Sequence, residues 1–236
     1  MVSVMLTTIN ARYVHASAGL RYLLANLEEL QPQAQIMEFV LGARPLDIAE
    51  RLLAARPQVI GFGVYIWNVE EITRVVALLK QIAPQVAIVL GGPEVSYETD
   101  SQRVCQLADY VITGWGEVSF TKLCRALLAG ARPAQRVIAG EQPPLAALTL
   151  PYDQYTDEDL RQRFIYVEAS RGCPYKCEFC LSSLDKTAWA FDLDRFLAAL
   201  TRLHERGARH FRFVDRTFNL KIATSVRILE FFLERM

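Results

Sequence analysis

Over the first 140 residues, short runs of β-branched and apolar residues alternate strictly with segments whose apolar residues recur every three or four positions. Parallel strands must be joined by crossovers, and helices supply them, so this alternation restricts the region to a parallel sheet with helices on both faces. Strand segments read at 4–7, 35–40, 59–65, 86–90, 110–113 and 136–139. Helical periodicity occupies 19–30, 45–55, 69–82, 101–107 and 118–128 between them. The expected fold class is α/β, beginning with a doubly wound domain over residues 1–140.

Residues 141–163 break the pattern. Pro143-Pro144, Pro151 and the acidic Asp157-Glu158-Asp159 give neither a continuous apolar face nor β character, so a linker between domains is expected there. Alternation resumes with a strand at 164–169, a cysteine-bearing loop, a helix at 192–206, a strand at 210–214 and a helix at 221–235. With 236 residues, 52% of them hydrophobic, the chain can fill two modest cores.

Lys plus Arg equals Asp plus Glu at 26 each, so no global positive field supports sequence-independent nucleic-acid binding. The longest apolar stretch, 59–67, is far short of the roughly 20 residues of a membrane helix, and the N-terminus lacks the order of a secretory signal. A cytoplasmic protein with no membrane partner is expected. Five cysteines, three of them between 173 and 180, suit a reduced compartment and a metal site better than a disulfide framework. Cys105 and Cys124 stand alone in helical contexts and read as small apolar residues.

The sequence Cys173-Pro-Tyr-Lys-Cys177-Glu-Phe-Cys180 directly follows a strand, with Arg171-Gly172 as the turn at the strand's C-terminal end. Ligands of α/β folds bind at that end. Three thiolates with no nearby fourth Cys or His match an iron-sulfur cluster with one iron left open, which can chelate the amino and carboxylate groups of S-adenosylmethionine (SAM). The other reading is a structural zinc site, which normally requires four protein ligands; His204 is the nearest later candidate and falls within a helix.

The spacing Cys-x3-Cys-x2-Cys, within Glu168-Ala-Ser-Arg-Gly-Cys-Pro-Tyr-Lys-Cys-Glu-Phe-Cys, closely resembles the cluster loop of the radical SAM superfamily. The resemblance implies that Cys173, Cys177 and Cys180 bind a 4Fe-4S cluster, that Phe179 lies beside the SAM adenine, and that a 5'-deoxyadenosyl radical is the reactive species. Ser182, and Ser183 beside it, are cofactor candidates just past the loop. Asp215, Thr217 and Asn219 stand where such enzymes hold the SAM methionine moiety or line the substrate channel; a solvated loop with an Asn turn is the plain alternative.

In the first domain, strand ends open into small or polar loops that include Asn10, Gly91, Gly92, Gly114, Gly116 and Glu117. Glycines there let a bulky ligand approach the backbone. The order of the parts, the run Asn10-Ala-Arg-Tyr-Val-His15-Ala-Ser-Ala-Gly19 and the later Val214-Asp-Arg-Thr-Phe-Asn219 resemble a bacterial subgroup of the cobalamin-binding radical SAM branch. That resemblance implies a Rossmann-like cobalamin domain, the six residues above as its pocket, and then the first part of a radical SAM (β/α) partial barrel over 164–236. Methyl transfer to an unactivated carbon or phosphorus of a small-molecule or peptide substrate is the favoured reaction, other radical rearrangements or ring contractions fit the residues equally well, and an electron donor such as flavodoxin or ferredoxin is expected. One departure stands out: Tyr13 occupies the place of the Asp in the Asp-x-His-x-x-Gly motif that ligates cobalt elsewhere. His15 is instead read as capping or packing at the first helix.

A barrel of this type needs about six βα units of roughly 30 residues, and 164–236 has room for about two. The sequence therefore reads as truncated within the barrel. The competing expectations are a non-catalytic cobalamin- or nucleotide-binding module with a structural metal, and an inactive fragment.

Overall fold

The computed structural model describes residues 2–180 and 187–235, which form two compact units divided between Pro143 and Pro144. In the first unit, β1 (Val4–Asn10), β2 (Ala34–Val40), β3 (Val59–Gly63), β4 (Ala87–Gly91), β5 (Tyr110–Thr113) and β6 (Val137–Ala139) make one sheet in the order β2-β1-β3-β4-β5-β6. Every pairing in it is parallel, from Val4 opposite Ala34 and Val59 to Val111 opposite Val137.

Side-chain alternation divides the core in two. Met5, Ile60, Phe62, Ile88 and Leu90 pack with residues of α2 (Pro45–Ala54), α3 (Val69–Ile82) and α4 (Arg103–Leu107). Val4, Leu6, Val59, Ala87 and Val89 pack with residues of α1 (Ala18–Ala25) and α5 (Glu117–Leu128). Both faces are thus covered, as a parallel sheet requires. The doubly wound expectation holds, and the strand order reverses direction between β1 and β3.

Three local readings differ. β1 runs to Asn10 rather than residue 7, because its polar residues are matched inside the sheet: Thr7 Oγ1 donates to the Met37 carbonyl (2.7 Å) and Thr8 Oγ1 to the Gly63 carbonyl (2.6 Å). The helix read at 19–30 stops at Ala25, where Asn26 folds its amide back onto the Tyr22 carbonyl. A 3-10 turn, Glu28–Gln33, follows and contains Pro32, which cannot donate an α-helical hydrogen bond. His15 does not cap α1; the Ser17 hydroxyl does, accepting from the Leu20 N–H.

In the second unit, β7 (Ile165–Val167) pairs in parallel with β10 (Phe211–Phe213), and β8 (Ser170–Gly172) pairs antiparallel with β9 (Ala188–Ala190). Helices α6 (Asp157–Gln162), α7 (Leu193–Glu205) and α8 (Ile222–Leu233) complete it. The strand read at 164–169 is therefore shorter, Ile165–Val167, and the Arg171-Gly172 segment read as a turn belongs to a second short strand, β8. The two strands separate at Glu168-Ala169, where the Asp215 carboxylate takes the Ala169 N–H and draws the backbone out of the first ladder.

Residues 144–163, expected as a linker, belong to this unit. They carry two 3-10 turns and α6, which starts with reciprocal bonds between Thr156 and Asp159. Two fully buried tyrosines follow from their fold. The Tyr155 hydroxyl donates to the Tyr166 carbonyl (2.9 Å) and accepts from its N–H (3.1 Å); Tyr152 does the same at Glu168 (3.2 and 3.1 Å). Ile165 and Val167 face β10, so Tyr166 and Glu168 expose their backbone groups on the other side. The hydroxyls satisfy those groups as a neighbouring strand would, and an open edge is thereby closed.

Tyr155→Phe keeps the ring but leaves a buried donor and acceptor unmatched, which is expected to cost about 2 kcal/mol. Urea unfolding of the full chain measures it, and faster hydrogen exchange at the Tyr166 amide locates it. Unchanged stability and exchange would show that water serves this edge equally well.

Candidate functional site

Because all six strands of the first unit are parallel, the loops after β1, β3, β4 and β5 emerge at one end of the sheet. Open α/β sheets bind ligands at that end, beside the point where strand order reverses. Here that point lies between β1 and β3, and Asn68 closes it. Completely buried, its side-chain amide donates to Thr8 Oγ1 (3.1 Å), the Ile9 carbonyl (3.0 Å) and the Gly63 carbonyl (3.3 Å), while its oxygen accepts from the Tyr65 N–H (2.8 Å). In sequence, Asn68 falls unmarked between the strand at 59–65 and the helix at 69–82. An Asn ahead of a helix reads as a cap, whereas this side chain turns away from α3 into the strand ends.

The loop so held presents Tyr65 and Trp67 stacked at 4.5 Å with rings 7° apart. Ile66 is 78% exposed and Trp67 46%, and Tyr13 and Tyr97 on the loops after β1 and β4 are also exposed. Glycine turns lie among them. Gly92 has φ +115°, and a Cβ there would lie 2.4 Å from the Val64 carbonyl oxygen, so no other residue fits. Ser96, which the sequence did not mark, joins the turns after β4 and β5: its hydroxyl donates to the Gly92 carbonyl (2.9 Å) and accepts from the Gly114 N–H (3.0 Å). Gly91 ends β4 beside Ile112, and Gly116 caps α5.

Two candidates turn inward. Asn10 is buried and donates to the His15 carbonyl (2.8 Å) and to Glu38 (3.0 Å), whose other oxygen pairs with buried Arg21 at 3.0 Å. Its amide thereby fixes the loop after β1. Glu117 is buried at the first position of α5, where a carboxylate complements the positive helix start. A small cavity of about 140 Å³, lined by Cys105, Asp109 and Arg136 among others, lies by the residues that enter β5 and β6. Thr99 and Asp100, late in the loop after β4, also line it.

In the second unit, the cysteine loop leaves β8 at Gly172. Its φ is +85°, and a Cβ would stand 1.8 Å from the Thr187 carbonyl oxygen, so glycine is obligatory immediately before Cys173. Arg171 is locked by an ion pair with Glu168 (2.7 Å). Asp215 binds the base of the loop through the Ala169 N–H (3.0 Å) and the Ser170 hydroxyl (2.6 Å). Burial holds the Asp215 pKa above the usual carboxylate range, against the opposing pull of its hydrogen bonds from Ser170 and Ala169. Thr217, 8% exposed, places its hydroxyl 3.1 Å from the Cys173 sulfur. Asn219 is exposed on the same loop, Phe179 is 95% exposed, and Ser182 lies outside the described residues.

None of the five cysteines is in a disulfide. Burial pushes the Cys105 thiol up to about 11 and Cys124 to about 12, so both stay protonated near neutrality. Cys173, Cys177 and Cys180 are partly or fully exposed on one loop. Among the described residues no three His, Cys, Asp or Glu side chains are gathered closely enough to hold a metal. As a donor set the three thiols suit an iron-sulfur cluster: soft sulfur donors, accessible, with a rigid loop root at Gly172 and no fourth thiol in the loop.

No helix among the described residues is long and apolar enough to cross a membrane. An uncharacterized methyltransferase of Pyrococcus horikoshii is 28% identical over 207 residues, covering 77% of this chain and 44% of its own length. The cobalamin-dependent radical SAM methyltransferase TokK of Streptomyces tokunonensis is 28% identical over 148 residues, covering 52% of this chain and 22% of its own. The solved structure of the radical S-adenosylmethionine methyltransferase TsrM of Kitasatospora setae, with cobalamin and a 4Fe-4S cluster bound, superposes with TM-score 0.67 at 18% identity. That likeness, one of fold, covers 100% of this chain and 51% of TsrM. The chain thus spans about half or less of the length of these proteins. The model of the B12 binding domain matches residues 5–124, which are the strands and helices from β1 into α5. With that match spanning half of its residues, the chain belongs to the B12 binding domain family.

Proposed function

We propose that this chain forms the cobalamin-binding unit and the cluster-binding start of a radical SAM methyltransferase. The observation that carries the proposal is the succession, in one chain, of a B12-type sheet and an anchored loop with three accessible cysteines outside any disulfide. In the first unit, the glycine turns joined by Ser96 and the exposed Tyr13, Ile66, Trp67 and Tyr97 offer a broad apolar shelf of the kind a flat macrocycle covers. Gly91, Gly92, Gly114 and Gly116 keep that shelf free of side chains, while Asn10, Asn68 and Glu117 fix its supports.

In the second unit, Cys173, Cys177 and Cys180 would hold three irons of a 4Fe-4S cluster. When bound, the cluster would supply single electrons to SAM and the cobalamin would carry the methyl group. The protein's own part is positioning. Asp215 and Gly172 set the loop's root, exposed Phe179 is available to stack on adenine, and Ser182 and Asn219 are further candidates for contact with SAM. The substrate is a small molecule or peptide, with a flavodoxin- or ferredoxin-type electron donor, in the cytoplasm.

Anaerobic reconstitution of the full chain with iron and sulfide tests the second unit. Iron and sulfide should bind in the wild type and in Cys124→Ala, and iron should fall several-fold in Cys173→Ala, Cys177→Ala and Cys180→Ala. Zinc in place of iron, or iron indifferent to all three replacements, would end the proposal. For the first unit, Gly92→Ala should weaken cobalamin binding at least roughly tenfold, the equivalent of about 1.4 kcal/mol, whereas Gly130→Ala, at an open left-handed turn after α5, should leave it unchanged. Equal affinities in an equilibrium titration would move the cobalamin site elsewhere.

A further inference from the structure

The Thr217 hydroxyl lies 3.1 Å from the Cys173 sulfur, and Thr217 is 8% exposed. A neutral thiol could donate or accept in such a contact. A thiolate ligating iron has no proton, so the hydroxyl must then donate to it.

Both partners are fixed by the same scaffold. Thr217 stands two residues after Asp215, whose carboxylate holds the Ala169 N–H and the Ser170 hydroxyl. The Val214 N–H donates to the Val167 carbonyl at 2.9 Å, extending the β7–β10 ladder to the loop that carries Thr217. Cys173 follows Gly172, whose backbone is pinned against Thr187 in the β8–β9 hairpin. Hydroxyl and sulfur thus sit on two short segments tied together by Asp215. The buried position of Thr217 shields its bond from competing water, which makes the contact electrostatically stronger.

Hydrogen bonds to cluster sulfurs are among the factors that set an iron-sulfur reduction potential. The reduced cluster carries one more negative charge than the oxidised one, so a donor aimed at a ligating sulfur stabilises the reduced state more and raises the potential. We infer that Thr217 is a positioning and tuning residue for the cluster, donating to the Cys173 thiolate and making the cluster easier to reduce. This goes beyond the proposed function and rests on its assignment of Cys173 as a ligand. It also assigns Thr217 to the cluster rather than to SAM or the substrate channel.

The test is an electron-paramagnetic-resonance redox titration of the anaerobically reconstituted full chain, with iron and sulfide assayed in parallel. Thr217→Val and Thr217→Ala should keep the iron content and lower the midpoint by an amount that changes the oxidised-to-reduced ratio about three- to tenfold. For a one-electron couple that is about 30–60 mV. Thr217→Ser, which keeps the hydroxyl, should retain the wild-type midpoint. Wild-type midpoints in both apolar variants at full iron content would overturn the inference while leaving the cluster assignment intact. Loss of iron from both folded variants, with retention in Thr217→Ser, would overturn tuning in favour of cluster retention. Absence of iron from the wild type would overturn this inference together with the reading on which it rests.

Discussion

Parallel pairing of β1 with both β2 and β3 is the constraint on which the first unit depends. It forces every connection to cross a face, which supplies helices to bury both sides of the sheet, and it collects the loops after successive strands at one end. Polar residues inside β1 then become useful rather than costly. Thr8 and Asn68 together tie the ends of β1 and β3, so the loop between β3 and α3 is held by buried hydrogen bonds and its Ile66 and Trp67 can remain exposed. The rigidity lies beneath the shelf and the apolar surface on top of it.

The second unit solves a similar problem with a carboxylate. Asp215, at the end of one ladder, takes up backbone and side-chain donors at the junction with another. One half-buried acceptor thereby separates β7 from β8 and sets the root of the cysteine loop. In both units, then, a polar side chain near a strand end, buried Asn68 in one and half-buried Asp215 in the other, determines where the candidate loop begins.

Much of this was legible in sequence. The six parallel strands follow from alternation, and the cysteine spacing singles out the loop, because periodicity and thiol spacing are local signals. What escaped reading depends on partners distant in sequence. Ser96 looks like any serine until Gly92 and Gly114 are seen to share it. Asn10 reads as a pocket residue until Glu38, on the neighbouring strand, claims its amide. Family resemblance groups Thr217 with Asp215 and Asn219 on one loop, yet one is buried against a sulfur, one braces the backbone and one faces solvent. Prolines and acidic residues made 141–163 resemble a tether because tyrosines that bond a distant backbone leave no periodic trace.

Those tyrosines bear on modular exchange. A doubly wound domain and a barrel-type domain invite the view that each is a cassette interchangeable at any point in the polypeptide between them. The hydroxyls of Tyr152 and Tyr155 contradict that view, since a graft beginning at residue 164 would arrive without the groups that seal its first strand. Natural recombination that preserved both cassettes would have its crossover at or ahead of the proline pair at 143–144. Each ancestral piece would then carry its own selvedge.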